Sequence, residues 1–87
     1  MAQDRHILHA IHVHDRTKHV PELQNILTGY GCYIRTRLGL HETSPDFCSP
    51  NGLILLELLD NAEKVEKLKA EVNALDGIEL KEIVFEH

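Results

Sequence analysis

Between Gly52 and Asp60 the chain reads Leu-Ile-Leu-Leu-Glu-Leu-Leu, and only Glu57 interrupts the apolar run. A run this short, bounded by turn residues, is a strand rather than a helix. Apolar positions on both of its faces are expected of an interior strand covered on both sides. It therefore needs strands beside it and layers above and below. The nearest partner is the stretch from Tyr33 to His41, which pairs with it as a hairpin. There Ile34, Thr36, Leu38 and Leu40 fall on one face and Arg35, Arg37, Gly39 and His41 on the other. The connection, Thr43 to Asn51, is too long for a tight turn, and loops of that length are often functional.

The remaining elements follow from period. Residues 6–14 alternate as a strand, with Ile7, His9, Ile11 and Val13 on one face and His6, Leu8, Ala10, His12 and His14 on the other. A helix begins between Asp15 and Val20, with Asp15 or Thr17 as its cap and Pro21 in its first turn. Val20, Leu23, Ile26, Leu27 and Tyr30 form its apolar stripe, and Gly29 and Gly31 mark its end. A second helix covers roughly residues 61–75, with Asp60 and Glu63 at capping-box spacing. It turns Val65, Leu68, Val72 and Leu75 inward, and Glu63 and Lys67 pair on its surface. Gly77 ends it, and a last strand runs from Ile78 to Glu86. The order βαββαβ predicts an α+β, ferredoxin-like sandwich over residues 1–87: an antiparallel sheet of order 4-1-3-2 with both helices on one face.

Composition narrows the function. One domain of 87 residues buries a modest fraction of its surface, so association into a dimer or tetramer is expected. A formal net charge of -5 argues against direct nucleic-acid binding. No apolar run reaches the ~20 residues of a membrane span, and the first residues lack the order of a signal peptide. Two cysteines make no disulfide framework, which fits a reducing cytoplasm. Catalysis is not expected: there is no nucleophile elbow, no Gly-rich phosphate loop and no paired carboxylates in an evident cleft. The segment Asp15-Arg16-Thr17-Lys18 also lacks the glycines that an acylphosphatase-type arginine loop needs.

The oddity is seven dispersed histidines. In the expected topology the first two strands are parallel, so His12, His14 and His41 gather at one end of the sheet, with His19 and Cys48 nearby. His12, His14, His41 and Cys48 are candidate metal ligands, since imidazole with thiolate suits zinc, nickel or copper. At about 4.8 Å per strand, however, His41 stands about 10 Å from the first-strand pair. The plainer alternative is that these are solvated strand-end histidines. His9 is a partly buried, hydrogen-bonded histidine on the core face, and Cys32 a small buried apolar residue. Arg35 and Arg37 either keep an exposed edge from pairing with another sheet or hold an anionic ligand in a guanidinium fork.

Four segments carry a family likeness: Ile11-His-Val-His-Asp15, Ile34-Arg-Thr-Arg-Leu-Gly39, Gly52-Leu-Ile-Leu-Leu-Glu57 and Leu75-Asp-Gly-Ile-Glu-Leu80. With them the chain, over essentially its whole length, resembles the small ACT-like iron-only hydrogenase system regulators, related in fold to the C-terminal domain of the nickel-responsive repressor. The resemblance implies a regulatory, non-enzymatic domain whose sheets pair or stack between subunits. It implies a small ligand, often an amino acid, at such an interface, near Gly39, His41 and residues 42–52; Arg37 joins these as a ligand-binding candidate. The repressor's metal strand carries His-x-His with a Cys nearby. Here position 39 is Gly, His41 is present, Cys48 lies further along, and His12-Val-His14 falls on the first strand. Residues 1–5 are too few for the repressor's DNA-binding arm, so a role in transcription is expected to run through a partner. The expectation is a ligand-sensing regulatory homo-oligomer; the alternatives are a nickel- or zinc-binding protein with an interfacial His/Cys site and a plain oligomerisation module.

Overall fold

Alternation along the first strand decides the layering. In the computed structural model, which describes residues 5–14, 18–41 and 52–86, the first strand β1 is His6–Val13. Its Ile7, His9, Ile11 and Val13 are all buried. Then come α1 (Val20–Gly29), a 3-10 turn at Gly31–Tyr33, β2 (Ile34–His41), β3 (Gly52–Leu58), α2 (Ala62–Asn73) and β4 (Ile78–Phe85). The strands lie in the order β2-β3-β1-β4 and every neighbouring pair is antiparallel. This is the expected ferredoxin-like sandwich, the order 4-1-3-2 read from its other edge.

The core forms where helical and strand periods meet. Leu23 and Leu27 of α1, one turn apart, and Val65, Leu68 and Val72 of α2 pack with the buried row of β1, with Leu56 and Leu58, and with Ile78 and Leu80. The join between β1 and β4 is fixed at Gly77, whose φ of 80° is the left-handed conformation that glycine adopts without strain. Its carbonyl accepts from the His14 N–H at 2.9 Å.

Four local expectations give way to tertiary packing. The cap of α2 is Asn61, whose side chain accepts from the Lys64 N–H at 3.1 Å. Asp60 is engaged elsewhere: Arg5 donates to it through Nη2 at 2.7 Å and Nε at 3.1 Å, a bidentate fork. That fork holds the Asp60 carboxyl below its ordinary range. Asn61→Ala should therefore lower stability by about 1 kcal/mol, read from urea unfolding. In β2 the pairing shifts between Ile34, opposite Leu58, and Thr36, opposite Glu57. This irregularity breaks the simple alternation, so Ile34 packs against the core while Leu38 is exposed. Cys32 is exposed in the 3-10 turn. Lastly, β3 is covered on one face only. Leu56 and Leu58 are buried beneath the helices, whereas Leu55 is 37% exposed. Both helices pack on the same side, so nothing among the described residues covers the other. For α1, His19 stands at the cap position and Pro21 in the first turn, while Asp15 and Thr17 lie outside the described residues.

Candidate functional site

The uncovered face of the sheet is apolar at its centre and polar at its ends. Alternate residues of β1 put Leu8 and Ala10 on it; Leu55 of β3, Leu38 and Thr36 of β2 and Ile83 of β4 join them around a shallow groove of about 410 Å³. Leu38 is 51% exposed, Ile83 52% and Phe85 55%. A small domain can carry isolated exposed apolar residues, but a contiguous group on one face marks an interaction surface.

Histidines close this face at both ends of β1. At one end His6 Nδ1 lies 3.1 Å from Glu57 Oε2. At the other, His12 and His14 are two residues apart on the same side, with ring centroids 4.5 Å apart in an edge-on arrangement. The β1–β4 register sets Glu79 directly beside His12. One ligand atom from each of His12, His14 and Glu79 lies within 4.8 Å of the others. Glu79 also has a loose exposed pairing with Lys81, Oε2 to Nζ at 3.8 Å.

The helix-covered face holds a different polar group. His9 is completely buried, and its Nε2 lies 3.0 Å from Glu82 Oε2. Lys69 of α2 reaches the other oxygen, Nζ to Oε1 at 3.1 Å, and also pairs with Glu66 at 3.2 Å. With Glu82 ionised, His9 Nε2 is the donor, and Nδ1 is a buried lone pair with no partner among the described residues. Burial pushes the His9 imidazole below its ordinary range, against the opposing pull of Glu82. Burial alone would raise Glu82, but the hydrogen bonds from His9 and Lys69 outweigh it and hold that carboxyl low. The hydrogen bond to Glu82 raises Lys69. In this cluster the imidazole is completely buried, while Glu82 and Lys69 reach toward solvent.

The candidate residues separate onto opposite faces. Arg37 and Gly39 pair with Leu56 and Ile54, on the helix side, and Arg37 Nη2 donates to Gln24 Oε1 of α1. Among the described residues, nothing lies within 4 Å of where a Cβ on Gly39 would stand. His12 and His14 are brought together on the uncovered side. The backbone of His41 is in register with Gly52; its side chain, like Cys48 and the loop, lies outside the described residues. Glu79 is not among the residues that the sequence singles out. The signal that finds it is the antiparallel pairing of β4 with β1, a register that the sequence alone leaves open.

No protein-family model and no curated protein matches this chain. Solved structures do. The uncharacterized protein TM1266 from Thermotoga maritima superposes with a TM-score of 0.79 at 19% identity, over 97% of this chain and all of that one. CPII from Thiomonas intermedia K12, bound to ADP, AMP and acetate, gives 0.51 at 14% identity, over 100% of this chain and 94% of CPII. The same nitrogen regulatory PII-like protein bound to ADP, AMP and bicarbonate gives 0.51 at 13% identity, covering 95% and 90% of the two chains. The likenesses establish the fold, a ferredoxin-like sheet with two helices on one face.

Proposed function

We propose that this chain is a regulatory, ligand-sensing domain without catalytic activity, working as a homo-oligomer whose subunits meet through the uncovered sheet face. One observation carries the association. The strand β3 has apolar residues for two faces, and the helices cover only one of them. A second copy supplies the missing layer: it brings the same apolar centre and polar ends, which is the self-complementary patch that a two-fold interface needs. The likeness in fold to a nitrogen regulatory PII-like protein bound to ADP and AMP supports a sensing role. On the helix side, the Arg37 guanidinium and the space at Gly39 offer a place for a small anionic ligand, in a reading that includes His41 with them. A regulatory role in transcription would run through a partner.

Sedimentation velocity over a wide concentration range tests the association. A dimer or tetramer at micromolar protein is the expected result, and a monomer throughout would overturn it. Thermal melting with AMP, ADP and a panel of amino acids tests the sensing. A rise in Tm that Arg37→Ala abolishes supports a ligand at Arg37; a panel without effect favours the second reading, an oligomerisation module on the same apolar face.

A further inference from the structure

We propose that His12, His14 and Glu79 form a binding site for one divalent transition-metal ion of the zinc class. The inference uses residues of a single subunit and does not rest on the association of subunits. Two imidazole nitrogens and one carboxylate oxygen are a donor set that zinc and its neighbours take in three-ligand sites, with a further position open. The backbone supplies the arrangement. Residues two apart on a strand project on the same side, and the antiparallel register sets Glu79 across from the first of the two histidines.

The segment is held from both directions. His14 N–H binds the Gly77 carbonyl just past β1, and Ile78 and Val13 pair at the start of β4. The ligand atoms lie within 4.8 Å of one another, while the edges of a tetrahedral site with bonds of about 2.1 Å are about 3.4 Å long. Rotation of these half-buried and exposed side chains closes that difference without backbone movement. Among the described residues Lys81 pairs with Glu79 at 3.8 Å, exposed on both sides and weakly competitive. The site stands on β1 and β4 beyond the apolar centre of the uncovered face, and a three-ligand zinc site is completed by water or an incoming ligand. The proposal keeps His12 and His14 of the set expected from the sequence and adds Glu79; the His41 side chain and Cys48 lie outside the described residues.

Calorimetric titration of chelator-stripped protein with zinc chloride at neutral pH tests the site. The expected result is one zinc per chain, with affinity at least tenfold weaker in His12→Ala, in His14→Ala and in Glu79→Gln. His6→Ala, at the far end of the same strand, should bind as the parent does. Far-ultraviolet circular dichroism on each variant verifies that the fold is retained. Absence of stoichiometric zinc uptake by the parent would overturn the proposal. So would undiminished uptake by the His12→Ala, His14→Ala double variant, which would place the metal on other residues. Acidification should release the metal as the imidazoles take protons, and uptake that persists unchanged in acid would equally count against imidazole ligation.

Discussion

Ile83→Asp is expected to yield a folded monomer from an associated parent. Ile83 lies on β4, paired with Leu8, and is more than half exposed in the single chain. Its own subunit therefore loses little packing when it is replaced. In a face-to-face pair, however, the change removes the burial of the half of the side chain still exposed, about 1 kcal/mol, and leaves a carboxylate to be desolvated. A two-fold interface contains the substitution twice. Together these weaken the pair by about 4 kcal/mol or more, roughly a thousandfold in dissociation constant. Sedimentation equilibrium reads that change directly. A variant that still associates like the parent would move the interface off this face, to a sheet edge or to the helices.

Acid should weaken the fold through His9 and Glu82, and Glu82→Ala should weaken it at neutral pH. Both groups titrate below their ordinary values in the fold, His9 because it is buried and Glu82 because His9 and Lys69 bind its anion. An unfolded chain takes up the histidine proton near pH 6.5, while folded His9 still resists it. From about pH 6.5 downward the unfolded state therefore binds more protons, and stability falls as pH falls. Glu82 adds the same sign of effect at lower pH, below about 4.3. Above pH 7 neither contributes a slope. Lys69 and Glu66 of α2 face the same cluster, and Lys69 further disfavours a second positive charge on His9. Thermal melts from pH 8 to pH 5 should show a plateau and then a decline, and His9→Gln should flatten the upper part of that decline. An unchanged Tm between pH 7 and pH 5 in the parent would contradict this account. Glu82→Ala leaves the His9 donor buried without an acceptor, a loss of about 2–3 kcal/mol, large for so small a domain.

The fold is legible in the chain because its strong periods agree with one another. The β1 alternation, the stripes Leu23–Leu27 and Val65–Leu68–Val72, and Gly77 each select one conformation without outside help. What is not legible depends on partners distant in sequence. Asp60 and Asn61 are both competent caps, and Arg5, more than fifty residues earlier, decides between them by occupying Asp60. The irregularity after Ile34 leaves no mark in its composition, yet it decides which of the β2 residues meet solvent. The candidate metal ligands divide in the same way. His12 and His14 are evident from spacing alone, but Glu79 becomes their neighbour only once β4 has a register. Cys32, expected to be buried, is exposed in the 3-10 turn that follows α1, a turn in which no residue is buried.

The alternation of β1 also bears on how the sheet avoids assembling wrongly. A slip of one residue against β3 or β4 would exchange its two faces completely. Ile7, Ile11 and Val13 would lose their places in the core, and His12 with its neighbours would be driven beneath the helices. Exposing three such side chains costs about 5–9 kcal/mol, comparable to the entire stability of a small domain. The central strand thus tolerates no near-miss pairing, because its two faces carry different loads: Ile7, Ile11 and Val13 beneath the helices, His6 and His12 on the uncovered side.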